Sequence, residues 1–217
     1  MGKSLAITFE SDLRWSLPMS VESTGTVRIV AIGGSTRPDS SSERALLAAV
    51  RGARAQGAYV DVITSRDLLF PIYDTETTDR DPLAVAYLQK IAEADGLIIA
   101  SPGYHGAISG MMKNALDYIE DLRERDGGYL HGMSVGCISV AYGWQAAVST
   151  LQQLRQIAHA LRGWPTPLGA TVNAGLTKLD TEGNSDDTAT VLQLETVGHQ
   201  VVEFAKMKRQ SQSGSSN

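Results

Sequence analysis

The chain has 217 residues, 42% of them hydrophobic and 20% charged, which is enough for one sizeable core and short for two domains. Its formal net charge of −5, with no basic stripe, argues against a nucleic-acid partner. A single cysteine, Cys137, excludes an internal disulfide and a cysteine-based metal site, and the histidines at 105, 131, 159 and 199 have no metal-ligand spacing.

Residues 1–26 read as an amino-terminal arm without sustained periodicity, in which Trp15, Leu17 and Met19 suggest contact with another surface such as a second subunit. Met1–Gly25 lacks the apolar run of a secretory signal and no segment reads as a membrane span, so a cytoplasmic protein with no membrane partner is expected. From Val27 the pattern turns regular. Strands are expected at Val27–Ile32, Tyr59–Ile63, Gly96–Ala100, Met133–Val140 and Leu168–Val172. Helices are expected near Glu43–Gln56, Pro82–Glu93, Gly110–Leu122, Gln145–Leu161 and Thr188–Ala205. This alternation predicts an α/β domain over 27–208, with a doubly wound, five-stranded parallel sheet covered by helices on both faces. Residues 209–217 read as a disordered polar tail. Cys137 sits in an apolar run and reads as a buried, inert thiol.

In open sheets of this kind, ligands bind beyond the carboxyl ends of the strands. The first such end carries Gly33-Gly-Ser-Thr-Arg-Pro-Asp-Ser-Ser-Ser42. A terminal phosphate fits there: helix N–H groups, the hydroxyls of Ser35, Ser40, Ser41 and Ser42, and one fixed positive charge on Arg37. A capped strand–helix turn is the plain alternative, because Ser and Asp also favour N-caps. Neither the Walker spacing nor the dinucleotide Gly-x-Gly-x-x-Gly occurs, which points to the end-phosphate of a mononucleotide.

The third strand leads into Ser101-Pro-Gly-Tyr-His-Gly-Ala-Ile-Ser-Gly110. Pro102 is read as stopping the strand, and Gly103 and Gly106 as letting the backbone approach a flat ligand. Tyr104 offers an aromatic wall, and the helix starting near Gly110 aims its positive end here. Such N–H donors would stabilise the negative charge that reduction places on a flavin. His105 is either a ring-edge contact or a loop residue, and the whole stretch could equally be a tight connection. The loop after the fourth strand, Ser139–Gln145, brings Ser139, Tyr142, Gly143 and Trp144; its aromatics either stack on a ligand or pack. Lys113 and Asp117 have ordinary helix ion-pair spacing and read as structural. Met111, Met112, Ala115, Leu116 and Ile119 form an apolar face suited to a subunit contact. Pro71–Glu76 could reach over a ligand or be a surface turn.

Together these loops resemble the NAD(P)H-dependent FMN reductase family, a flavodoxin-like group. Its phosphate motif, Gly-Ser-x-Arg-x-x-Ser-x-Asn/Ser, is matched by Gly34, Ser35, Arg37, Ser40 and Ser42. Its ring motif, Pro-x-Tyr-Asn/His-Gly-x-x-x-Gly, is matched by Pro102, Tyr104, His105, Gly106 and Gly110. The third loop departs from the pattern, with Ala141-Tyr-Gly-Trp144 where the family often has Gly-Gly. The resemblance implies a flavodoxin-like fold, bound FMN and a hydride taken from NADPH or NADH. It also implies a homodimer or homotetramer, with electrons passed to a small-molecule acceptor such as free flavin, a quinone or an azo dye, or to a flavin-dependent monooxygenase. No catalytic acid or base is assigned, because the flavin carries the chemistry. A flavodoxin-like electron carrier is the non-enzymatic alternative.

Overall fold

The computed structural model describes residues 25–214. The arm reading and its residues Trp15, Leu17 and Met19 therefore lie outside the described residues.

A first strand, β1 (Arg28–Gly33), has five of its six residues buried, as a parallel strand covered on both faces must. Ile29 and Ala31 join one apolar layer, while Val30 and Ile32 join the other. The strand feeds α1 (Ser41–Ala55), capped by the Ser40 hydroxyl, which accepts the Glu43 N–H. Next come β2 (Tyr59–Thr64), then α2 (Pro82–Ala92), whose cap is Asp81 with Pro82 at the first helical position. The long strand β3 (Gly96–Tyr104) turns back at once into the short β4 (Ala107–Ile108). A short helix α3 (Gly110–Asp117) runs on as a 3₁₀ turn over Tyr118–Leu122. The chain is completed by β5 (Ser134–Ala141), α4 (Trp144–Ala160), β6 (Trp164–Pro165), β7 (Ala170–Asn173) and α5 (Thr188–Gly214).

The sheet runs β2-β1-β3-β5-β6, with every neighbour on this path parallel. Helices α1 and α5 cover one face, and α2, α3 and α4 cover the other. This is the doubly wound, five-position parallel sheet expected from the sequence.

Three details differ. The fifth position is filled by two pieces: β6 pairs the start of β5, and β7 pairs its end. Between them the Thr166 carbonyl turns aside to accept Arg155, and the Leu168 N–H turns to Gln200. Pro102 does not stop β3, which continues to Tyr104 with Pro102 in register opposite Val140. The Ala100 carbonyl accepts the Gly34 N–H on the β1 side. Two residues on, the imide nitrogen of Pro102 faces that same side beyond the end of β1, where no ladder needs a donor. Finally, residues 209–214 are helical rather than a disordered tail, and Arg209 forms an ion pair with Asp95 at 2.6 Å. Among the described residues no helix is long and apolar enough to cross a membrane.

Candidate functional site

The carboxyl ends of β1, β3, β5 and β7 open at one pole of the sheet. Gly34 and Ser109 join the first two: the Ser109 hydroxyl donates to the Gly34 carbonyl at 2.5 Å and also caps α3 by accepting the Met112 N–H. A methyl group on Gly34 would lie 2.7 Å from the Met112 Cβ, so only glycine lets α3 come this close.

In the loop after β1, the buried Ser35 hydroxyl accepts the Arg37 N–H at 3.2 Å, folding the turn back on itself. Ser40 and Ser42 are both buried, and their hydroxyls lie 3.1 Å apart. Part of the serine content is thus explained by capping, as the plain alternative holds. One hydrogen between two hydroxyls leaves the other O–H available. Glu43, the acid of the first helical turn, is tied to the Asp39 N–H and the Thr64 hydroxyl. Among the described residues the Ser40, Ser41 and Ser42 N–H groups and the Ser41 hydroxyl have no hydrogen-bond partner. The Arg37 side chain is exposed and its guanidinium is likewise unpaired among them.

After β3, Tyr104–Ala107 closes a two-residue hairpin with both central residues left-handed, His105 at φ 54° and Gly106 at φ 80°. Type I′ geometry of this kind suits the twist of paired strands, and Gly106 adopts it without strain. The Gly106 carbonyl accepts from Ser149 and Gln153, which ties the hairpin to α4. Gly103 has a packing reason to be small, since a methyl there would lie 2.8 Å from the Thr150 hydroxyl. His105 and Tyr104 remain exposed at the tip, Tyr104 by 56%.

The third loop is shorter than the sequence suggests. Ser139 lies inside β5, fully buried, and its hydroxyl donates to the Ala147 carbonyl. It therefore joins α4 to the sheet and does not face the pole. Tyr142, at 82% exposure, and Trp144, at 51%, flank the extended Gly143 that starts α4. Neither aromatic is part of the packed core.

The helix α3 supplies structure. Lys113 and Asp117 pair at 2.6 Å as their spacing predicts. Met112, Ala115, Leu116 and Ile119 are buried in this chain's own core, so the apolar face expected at a subunit contact is already covered. Asn114, to which the sequence reading gave no role of its own, accepts the Tyr73 N–H and donates to the Pro71 carbonyl. The segment from Pro71 is thereby held against α3, with Arg80 bonded to Asp121 and stacked on Tyr73.

A sheet of order β2-β1-β3-β5-β6, with a hydroxyl- and arginine-bearing turn at its first strand end, is that of a flavodoxin-like α/β protein. Residues 27–176 match the family described as NADPH-dependent FMN reductase, and the chain belongs to that family. It is 33% identical over 85 residues to an NADPH azoreductase of Bacillus sp. (strain OY1-2), covering 39% of this chain and 44% of that one. It is 31% identical over 121 residues to a 2-hydroxy-1,4-benzoquinone reductase of Burkholderia sp, covering 53% of this chain and 64% of that one. These matches thus span between 44% and 64% of the relatives' length. In fold it resembles FerB, a flavoenzyme NAD(P)H:(acceptor) oxidoreductase from Paracoccus denitrificans. The TM-score is 0.69 at 16% identity, over 84% of this chain and 99% of that one.

Proposed function

We propose that this protein is an FMN reductase that takes its reducing equivalents from NADPH or NADH and passes them through FMN to free flavin or a partner monooxygenase. The observation that carries the reading is the adjacency of two donor sets on neighbouring strands. One is the open start of α1 with the unpaired Arg37. The other is the hairpin tip, where the His105 and Gly106 N–H groups have no acceptor among the described residues.

The first set fits a phosphate monoester. Ser40–Ser42 N–H groups and a free hydroxyl on Ser41 sit at a helix start whose acid, Glu43, is already engaged, and Arg37 lies in the same turn to bring a positive charge. Ser35, Ser40 and Ser42 hold the turn in shape and share donors with the ligand. The second set, with Pro102, Gly103 and Tyr104 in its stem, suits the polar edge of a flat ring. Bound FMN would supply the redox chemistry, accepting a hydride from nicotinamide and handing electrons on. The chain's own contribution is then positioning: the tied hairpin fixes the ring edge, and Tyr142 and Gly143 close the open side. A homodimer or homotetramer belongs to this reading and is tested by mass in solution.

The exposure of Tyr142 and Trp144 favours a second reading, in which a flat organic acceptor such as a quinone or azo dye stacks at the mouth. Relatives named for azo and quinone reduction agree with it. The deciding experiment adds NADPH without oxygen to FMN-loaded protein and follows bleaching of the oxidised flavin band. Turnover is then compared with free FMN, a benzoquinone and an azo dye. A band that persists with both nucleotides would leave a flavodoxin-like carrier and remove the enzyme reading.

A further inference from the structure

The matched family stretch ends at residue 176, just before a cation that shares the open pole of the sheet. Strand β7 ends at Asn173, whose carbonyl accepts the N–H groups of Leu176 and Thr177 at 3.0 and 2.9 Å. Its side chain accepts the Gly175 N–H at 2.9 Å, and the Thr177 hydroxyl donates to Asp187 at 2.7 Å. Lys178 therefore rises from a backbone pinned at both ends. Lys178 is exposed as a residue, and its ammonium donates to the Ala174 carbonyl at 2.5 Å and stands 5.8 Å from the Tyr142 ring centroid. Such a distance is within cation–π reach, which holds the charge beside the most exposed aromatic of the pole. Among the described residues no carboxylate pairs with it, and an ammonium with one bond made keeps two donors free.

Arg37 and Lys178 stand at the ends of β1 and β7, with β3 and β5 between them. Three strand spacings, about 14 Å, separate the two strands that lead into them. If Arg37 takes the FMN phosphate, Lys178 is left for the other anionic molecule that the reaction admits. We propose that Lys178 binds a phosphate of the incoming nicotinamide nucleotide and so sets the protein's affinity for its reductant. The inference rests on the reading above that NAD(P)H is that reductant.

The test uses FMN-loaded protein as wild type, Lys178→Gln and Lys178→Arg. Binding of the non-reducing NADP⁺ is titrated, and reduction by NADPH and NADH is followed without oxygen. Lys178→Gln is expected to weaken nucleotide affinity about 5- to 10-fold, the scale of one partly solvated charge-assisted contact, with the limiting reduction rate near wild type. Lys178→Arg, which keeps the charge, should stay within about threefold of wild type. A loss confined to NADP⁺ and NADPH assigns the 2′-phosphate, and an equal loss for NADH assigns the pyrophosphate. Unchanged affinity for every nucleotide in Lys178→Gln, with FMN content and melting temperature intact, overturns the inference. If the wild-type protein is not reduced by either nucleotide, the enzyme reading fails instead, while NADP⁺ titration still reads Lys178.

Discussion

The Ser109 hydroxyl donates to the Gly34 carbonyl across 2.5 Å and accepts the Met112 N–H at 3.1 Å, so one buried oxygen both caps α3 and fixes the loop after β1. The Ser109 N–H in turn donates to the buried Ser101 hydroxyl at 3.0 Å. Two loops that come from different strands are thereby set at one distance from each other. For a ligand that bridges them, this is preorganisation built into the fold rather than created on binding.

Replacing Ser109 with Ala removes the cap and leaves the Gly34 carbonyl without its partner. The expected cost is roughly 2 kcal/mol, combining a lost N-cap with a buried acceptor left unsatisfied. FMN affinity should fall together with stability, because both loops are released. Urea unfolding and a flavin titration on the same variant check this. A variant that loses stability but binds FMN as before would show that the loops keep their spacing by other contacts.

Arg37 behaves in the opposite way. Its guanidinium has no partner among the described residues, so Arg37→Ala is expected to leave the melting temperature unchanged. FMN binding should weaken by one to two powers of ten, about 1.5–3 kcal/mol for a charge-assisted contact. Fluorescence titration of flavin beside a thermal melt separates the two effects. Unchanged affinity would move the phosphate away from this turn.

The layered architecture was legible because strands buried on both faces read as apolar runs, as in Leu97-Ile-Ile-Ala100, while the helices keep their own period. The hairpin after β3 was not, since Pro102 resembles a strand terminator and its tolerated place depends on where β1 ends. Its turn nevertheless had a local signal in His105-Gly106, a pair able to adopt left-handed geometry. Ser139 was misread because a polar residue at a strand end looks like loop; its partner, the Ala147 carbonyl, becomes visible only when α4 is folded back. Asn114 holding Pro71 and Tyr73, and Lys178 beside Tyr142, join residues far apart in the chain. Periodicity carries no information on such pairs. Ser109 was within reach of sequence reasoning, as a serine placed directly before a helix start.

Burial pushes the Cys137 thiol up from 9.0 to about 12, with Arg155 opposing the shift. The thiol should therefore resist a disulfide reagent near pH 8 in the folded protein and react only on unfolding. Its titration also bears on stability. In the unfolded chain the thiolate forms from pH 9.0 upward while the folded chain keeps its proton, so the contribution is intact below pH 9.0 and is lost as pH rises toward about 12. Unfolding free energies of wild type and Cys137→Ala at about pH 8 and about pH 10.5 should show a smaller alkaline loss in the variant. Equal losses would mean that the thiol is not shielded as its burial requires.

Asp187 joins the loop after β7 to the start of α5. Its carboxylate accepts the Thr190 and Thr177 hydroxyls, each at 2.7 Å, and the Thr190 N–H at 3.1 Å. The Thr190 hydroxyl first, and then that of Thr177, hold this carboxyl below its ordinary value of 3.8. A depressed carboxyl stabilises the fold above its unfolded value, and that share is lost as pH falls through the folded one. Asp187→Asn is thus expected to be less stable than wild type near neutrality, with the gap closing below pH 3.8. The same change weakens the hold on Thr177, so hydrogen exchange of the Leu176 and Thr177 amides should quicken while that of β5 does not. Protected amides in the variant would show that the Asn173 turn keeps the loop shaped alone, and that Lys178 does not depend on α5 for its place.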